Sequence, residues 1–179
     1  IRCSEPALQR LFDATVNTLH NCAQETLVDG MARERQQYSG DCGHQLHAIY
    51  FTFGETRQPA RYIKTFSQGM TKDGYFLDCW PAYDRLARLM ERQMNLSGWG
   101  PILDHGIGLN FDCYHHYLYT GDLRALEEPY PRLLRFAEYL RSILDQDGLL
   151  PVENLGIPSV WIDHDAYRQH RIEPRPHEV

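Results

Sequence analysis

The sequence is short of several things that would set its class at once. It has no CxxC pair, no HExxH run and no stretch of apolar residues approaching a membrane span. It has no excess of basic residues either: 18 Lys and Arg stand against 24 Asp and Glu, for a formal net charge of −6. A nucleic-acid binder would normally show a basic face, so that class is disfavoured. Five cysteines at wide, irregular spacing (Cys3, Cys22, Cys42, Cys79, Cys113) make an odd count. They read as small buried thiols in a reducing compartment, not as a disulfide framework, which points to the cytoplasm. No signal peptide opens the chain, but residue 1 is Ile, so the natural start is expected upstream.

What is present is a helical pattern. An apolar content of 42% over 179 residues is enough for a core, and 12% of the residues are aromatic. Ser4 is placed to cap a first helix, with Glu5 and Pro6 in its opening turn. Leu8, Leu11, Phe12, Val16 and Leu19 then recur at helical spacing, which predicts one buried stripe. Leu46, Ile49, Tyr50 and Phe53 predict a second helix ended by Gly54. Thr56 starts a third, with Ala60, Ile63 and Phe66 inward. Pro81 opens a fourth, with Tyr83, Leu86, Leu89 and Met90. Residues 104–119 predict a fifth, ended by Gly121. Pro131 opens a sixth, with Leu133, Phe136, Ala137, Leu140 and Leu144 inward. Strand signals are confined to Tyr75-Phe76-Leu77 and Leu149-Leu150-Pro151-Val152.

Two blocks are alike. Tyr50-Phe51-Thr52-Phe53-Gly54-Glu55 resembles Tyr117-Leu118-Tyr119-Thr120-Gly121-Asp122: an aromatic helix end, a Gly stop, an acidic start. Each leads to a helix and then to an Asp-Gly turn with an apolar run, at Asp73-Gly74 and Asp147-Gly148. Recurrence at this scale marks repeated helical hairpins, and a ring of them is an α/α toroid. Six hairpins would need about 400 residues, so this chain is expected to hold about three, with apolar surface left open on one side.

The least helical stretch is also the most polar. Residues 29–41 carry Asp29, Arg33, Glu34, Arg35, Tyr38 and Asp41 with Gly30 and Gly40 near the ends, and no apolar stripe runs through them. A polar loop between buried elements is where binding and catalytic groups collect. The flanking guanidinium groups favour an ionised Glu34, and burial favours a protonated one; the sequence leaves that open. Arg33 and Arg35 stay charged and can brace Asp29 and Asp41 or donate to a hydroxyl-rich ligand. Three further segments have site character: Asp78-Cys79-Trp80-Pro81, Trp99 to Gly106, and Trp161-Ile162-Asp163-His164. A Trp beside an Asp in a loop suits a sugar, ring to the apolar face and carboxylate to the hydroxyls. His44 and His47, three apart on the second helix, could share a metal, but a packed or solvated role is the simpler reading.

The 29–41 segment resembles the motif of the inverting α-L-rhamnosidases, roughly Asp-Cys-Pro, then Arg-Glu-Arg, then Gly-Trp-x-Gly-Asp. Cys3-Ser4-Glu5-Pro6, the Tyr117–Asp122 block and Trp99-Gly100 agree with it, so the resemblance runs to about Tyr167. It implies an all-α fold, the N-terminal part of an (α/α)6 catalytic domain over 1–170, with short β segments in loops and an irregular tail over 171–179. It implies Glu34 as general acid, and Asp29, Arg33 and Asp41 as holders of the sugar or of the acid. Tyr38 stands where the family has a stacking Trp, and Trp99 and Trp161 fall near other sugar-site tryptophans. Gly30-Met31 replaces Cys-Pro, so substrate choice can differ. An inverting glycosidase also needs a general base across the sugar ring. By the resemblance that Glu lies beyond Val179, so the chain by itself is expected to be nearly inactive. The implied partners are a rhamnoside and the remainder of the same catalytic domain, with no nucleic acid, membrane, cofactor or metal. Two other readings remain: a toroid lyase or epimerase using His105 or His116 as base, and a non-catalytic sugar-binding helical module.

Overall fold

The computed structural model describes residues 1–81 and 103–150. Among them are α1 (Pro6–Cys22), α2 (Ser39–Phe53), α3 (Arg57–Ser67), α4 (Leu103–Thr120), the single turn α5 (Arg124–Glu127) and α6 (Tyr130–Ser142). Pairing among the described residues is limited to isolated bridges, Ala23↔Leu27, Tyr38↔Cys79 and Met70↔Phe76. The fold is mostly helical, as the apolar periodicity predicts. The expected fourth helix after Pro81, Trp99 and everything from Pro151 onward, Trp161 included, lie outside the described residues.

The helix starts differ from expectation in an instructive way. Glu5, not Ser4, caps α1: its carboxyl accepts from the Ala7 N–H at 3.1 Å. A residue before proline is pushed out of the helical region, and Glu5 sits at φ −85°, ψ 112° before Pro6. That makes it the flanking residue, and its side chain takes the role that Ser4 would have had. The same happens at α3, where Thr56 makes no side-chain cap and Glu55 accepts from the Arg57 N–H at 2.6 Å instead.

The predicted stripe of α1 is only partly covered. Leu19 is buried in the core, Phe12 and Val16 are half-buried, and Leu8 and Leu11 stand 56% and 64% exposed. The spacing does place these residues on one face; only the last turns of that face meet a neighbour. Phe53, Ala137 and Leu144 are likewise exposed where inward positions were expected, Phe53 as the last residue of α2 and Leu144 past the end of α6.

The core gathers Leu46, Ile49 and Tyr50 from α2, Tyr62, Ile63 and Phe66 from α3, Leu103, Leu109 and Cys113 from α4, and Phe136 from α6. A chain of tilted rings runs through it: Tyr62 to Phe66 at 5.8 Å, Phe66 to Phe76 at 6.2 Å, Phe76 to Phe136 at 5.2 Å. Phe76 is one of the residues with a strand signal. It is buried and pairs with Met70 in an isolated antiparallel bridge, where the 70–77 segment folds on itself through Thr71 N–H to Tyr75 O at 2.8 Å.

Helices α2 and α4 run in the same direction. Gly40 lies on His105, Gly43 on Asp112, His47 on His115, Tyr50 on His116 and Phe51 on Tyr119, so both numbers climb together. Two adjacent parallel helices in successive hairpins are what an α/α ring requires of its inner layer. Glycine permits the approach: a Cβ on Gly43 would stand 2.9 Å from Asp112 Oδ1, and one on Gly106 would stand 2.5 Å from Phe136 Cζ.

The repeat is real at the level of hydrogen bonds. Gly54 and Gly121 both end an aromatic-rich helix in the left-handed region, at φ 61° and 68°. Each is followed by a carboxylate that accepts from the backbone N–H two residues on, Glu55 from Arg57 and Asp122 from Arg124 at 3.0 Å, and that also binds the side chain of that arginine. Those contacts hold both carboxyls below the usual range. Gly74 and Gly148 then close matching turns, donating to Thr71 O at 3.2 Å and Asp145 O at 3.1 Å. The second copy breaks where the first has one helix: Pro129 separates α5 from α6.

Candidate active site

The 29–41 loop leaves α1 after Cys22 and returns to start α2 at Ser39. It is buried only toward its far end, at Gln36, Gln37 and Ser39. Asp29 closes it: its N–H donates to Gln36 O at 2.9 Å, and its Oδ1 accepts from the Gln36 N–H at 2.8 Å. Within that clasp Arg35 takes φ 55°, and its Nε donates to Met31 O at 3.0 Å. Gln45 on α2 ties the loop's start down by donating to Val28 O at 2.8 Å. Arg35 therefore braces the loop's own main chain at Met31, where the sequence suggested Asp29, Asp41 or a ligand as its partner.

The loop's far end is pinned to the 78–80 segment. Gln37 is fully buried; its Nε2 donates to Trp80 O at 2.6 Å and to Thr65 Oγ1 at 3.2 Å. The Trp80 N–H donates back to Gln37 O at 3.3 Å, and Tyr38 bridges Cys79. Trp80 in turn packs on Gly69, where a Cβ would stand 2.5 Å from its own Cβ. A bare position 69 is thus a condition for Trp80 to lie where it does.

Histidine 105, at the start of α4, completes the wall. It is buried, its Nδ1 lies 3.1 Å from Asp78 O, and Ser39 Oγ donates to its carbonyl at 2.6 Å. With Nδ1–H directed at that carbonyl, Nε2 is the free nitrogen, and it faces Gly40 at 3.2 Å from where a Cβ would be. The Tyr38 ring meets the His105 ring edge-on at 6.2 Å.

Into this frame the loop projects its charges. Arg33 pairs with its neighbour Glu34. The Asp41 carboxyl is pushed above its usual range, first by loss of solvent, then by the negative charge of Asp29, with Glu34 adding and His105 opposing. Asp29, Glu34 and Asp41 therefore share one electrostatic environment. Burial, then the neighbouring Glu34 carboxyl, pushes the Tyr38 phenol well above its usual value. Carboxyls gathered in one place, with the protonation of Asp41 set by burial and by its neighbours, suit proton transfer.

The structure thus brings together Asp29, Arg33, Glu34, Tyr38 and Asp41, while Trp99 and Trp161 lie outside the described residues. It adds His105, Asp78 and Trp80, whose segments had shown site character, and Gln37, which had not. An uncharged side chain in a polar run gives no sign that it will be buried. His47 lies 4.8 Å from His115, ring to ring, and burial, then His115 and His44, push its imidazole down. Among the described residues no group of three or more His, Cys, Asp or Glu is placed to hold a metal. None of the described helices is long and apolar enough to cross a membrane.

Comparison with known proteins agrees with the helical fold. The profile of the bacterial alpha-L-rhamnosidase 6 hairpin glycosidase domain matches residues 1–170. A rhamnosidase from Klebsiella oxytoca, solved with rhamnose bound, superimposes with a TM-score of 0.69 at 22% identity, over 87% of this chain and 29% of that one. A GH78 family rhamnosidase of Bacillus sp. GL1 superimposes with a TM-score of 0.68 at 20% identity, over 83% of this chain and 14% of that one. The chain therefore spans less than a third of either relative. No curated protein matched.

Proposed function

Since the chain belongs to the bacterial alpha-L-rhamnosidase 6 hairpin glycosidase domain family, we propose that it carries the acid half of a glycoside hydrolase that removes terminal rhamnose with inversion. The observation that supports this most is that Asp29 and Glu34 of the braced loop and Asp41 of the first turn of α2 lie near one another, beside His105. Glu34, protonated, gives its proton to the glycosidic oxygen as the bond to the sugar carbon breaks, and the bonding pair leaves with that oxygen. A water attacks the opposite face of the sugar and loses its proton to a second carboxylate, which this proposal places outside the chain. Asp41 and Arg33 hold sugar hydroxyls. Asp29 gives one oxygen to the Gln36 N–H and keeps the other for ligand or acid. Tyr38, Trp99 and Trp161 supply rings for the apolar face of the sugar.

The test is Glu34→Gln in the full-length protein. A general acid contributes about 10²- to 10⁴-fold, so hydrolysis of an aryl rhamnoside should fall by that order. Undiminished turnover ends the assignment. The 179-residue chain alone should be nearly inactive, with one of two required carboxylates.

A second reading has one observation in its favour. His105 is buried against the loop with Nε2 free, the placement a lyase or epimerase base would need. His116, the other candidate, is instead bonded to the Tyr50 hydroxyl at 2.7 Å in the core. An unsaturated or epimerised product, in place of free rhamnose, would select this reading.

A further inference from the structure

Asp112 takes no part in the proposed chemistry, yet it sits where the two helices that carry the site meet. It lies on α4 beyond His105 and is 6% exposed. Its Oδ2 accepts from the Tyr62 hydroxyl of α3 at 3.0 Å. On its α2 side Gly43 leaves just enough room, since a Cβ there would stand 2.9 Å from Oδ1 and 3.1 Å from Oδ2. Toward the helix starts the same two helices are joined again, where Ser39 Oγ donates to the His105 carbonyl at 2.6 Å and Gly40 lies on the His105 ring. Asp41 falls between those two contacts, in the first turn of α2. How closely α2 approaches α4 at residues 39–43 therefore sets where Asp41 stands relative to His105.

A carboxyl at that joint is tolerated in one state. The titratable groups around it are Tyr62 of α3, Cys42 and Tyr50 of α2 and Cys113 of α4; burial pushes all four up, so all are neutral near pH 7. His116, one turn further along α4, is engaged with the Tyr50 hydroxyl at 2.7 Å, and burial pushes its imidazole down toward the neutral form. Among the described residues no ion pair includes Asp112. A neutral carboxyl needs no counter-charge there. An ionised one, with a single hydroxyl donor, is a buried charge left nearly unpaired, and it gains by meeting water. The glycine contact is the tight side of its surroundings, so admitting water there means parting α2 from α4. Burial accordingly keeps the proton on this carboxyl up to about pH 7.

We propose that Asp112 is a positioning residue that acts through α2: neutral, it lets α2 close on α4 and holds Asp41 beside His105, and ionised, it parts them. Sugar binding at the site then depends on a proton that no sugar atom touches. The sugar half of this rests on the reading of Asp41 as a holder of rhamnose; the joint itself does not.

The test is amide hydrogen exchange in the full-length protein and in its Asp112→Asn variant, which keeps the shape and cannot ionise. The ratio of the two at each pH cancels the pH dependence of exchange itself. A carboxyl pKa of about 4 in the opened joint, against about 7 in the closed one, makes opening at residues 39–46 grow by roughly tenfold per pH unit above about pH 5 and level off near 7. Exchange in α6 should keep a constant ratio. A flat ratio at residues 39–46 overturns the proposal. So does a rise shared equally by α6, which reports global stability and not the joint. If the Asn variant does not fold, Tyr62→Phe removes the donor that favours the ionised form. The levelling point should then move to higher pH, and an unmoved one overturns the proposal. Rhamnose titrated calorimetrically alongside keeps the failures apart. Its affinity should fall with rising pH more steeply in the wild type than in the Asn variant, and equal slopes overturn the link from Asp112 to the site. The expected exchange without rhamnose binding at any pH supports the joint and removes the rhamnose reading, whereas rhamnose binding with a flat exchange ratio removes only the role of Asp112.

Discussion

Helices α2 and α4 meet twice, and they solve the problem of their ends in opposite ways. At the C-terminal ends the solution is local at the exits from the helices, although Tyr50 and His116 also bond across 66 residues. Gly54 and Gly121 turn the chain out of the helix, and Glu55 and Asp122 bond the next N–H groups and arginines within two residues. At the N-terminal ends it is long-range. Ser39 bonds the carbonyl of His105 across 66 residues, and Gly43 admits Asp112. At the same Asp112, midway along α4, Tyr62 of α3 donates to Oδ2 at 3.0 Å across 50 residues. The end that depends on distant partners is the end that bears the candidate site. It holds polar groups in the interior, where each must find a partner.

The largest test of that contrast is the charge of Asp112. Burial pushes its carboxyl up to about 7, against the pull of the Tyr62 hydroxyl. A carboxyl that binds its proton more tightly folded than unfolded stabilises the fold most below its unfolded value, and that contribution is lost as pH rises through about 7. Urea unfolding between pH 4 and 8 should therefore show stability falling as pH rises, by on the order of 2–4 kcal/mol. Asp112→Asn should flatten the curve and raise stability near neutral pH. A flat wild-type curve would mean that Asp112 is not desolvated as described.

The next tests the closeness of packing at the same end. Gly106→Ala places a Cβ 2.5 Å from Phe136 Cζ, deep in the aromatic chain of the core. It should cost about 1–3 kcal/mol and lower the melting temperature accordingly. The smallest effect belongs to the local end. Gly54→Ala and Gly121→Ala meet no atom within 4 Å, so only their left-handed backbone resists them. Each should cost about 1–2 kcal/mol, and the two should be equal within a few tenths if the copies are equivalent. A large difference between them would break the repeat.

The same contrast explains what could be read from the amino acids alone. The presence of the described helices, the two Gly stops, the acidic starts and the matching Asp-Gly turns depend on neighbours within a few residues and were legible; the start of α2 at Ser39, inside the polar stretch, was not. The grouping of Asp29, Arg33, Glu34, Tyr38 and Asp41 was legible too, because one short stretch carries them, although Asp41 belongs to the first turn of α2. The exposure of Leu8 and Leu11 was not legible: periodicity tells which residues share a face, not whether another element covers it. Ser4 lost the cap to Glu5 through the following proline, a detail that the residue order contained and the usual cap preference outweighed. The pairing of Tyr62 with Asp112, the burial of Gln37 and the seat of Trp80 on Gly69 were hidden, since each depends on segments brought together only by the fold.

One consequence of the common direction of α2 and α4 remains. Each helix carries partial positive charge at its amino end, and here those ends emerge side by side. Like poles repel, and the cluster of acids gathered at that rim offsets the repulsion. The carboxyls that would hold a sugar therefore also reconcile two helices whose dipoles would otherwise oppose their alignment.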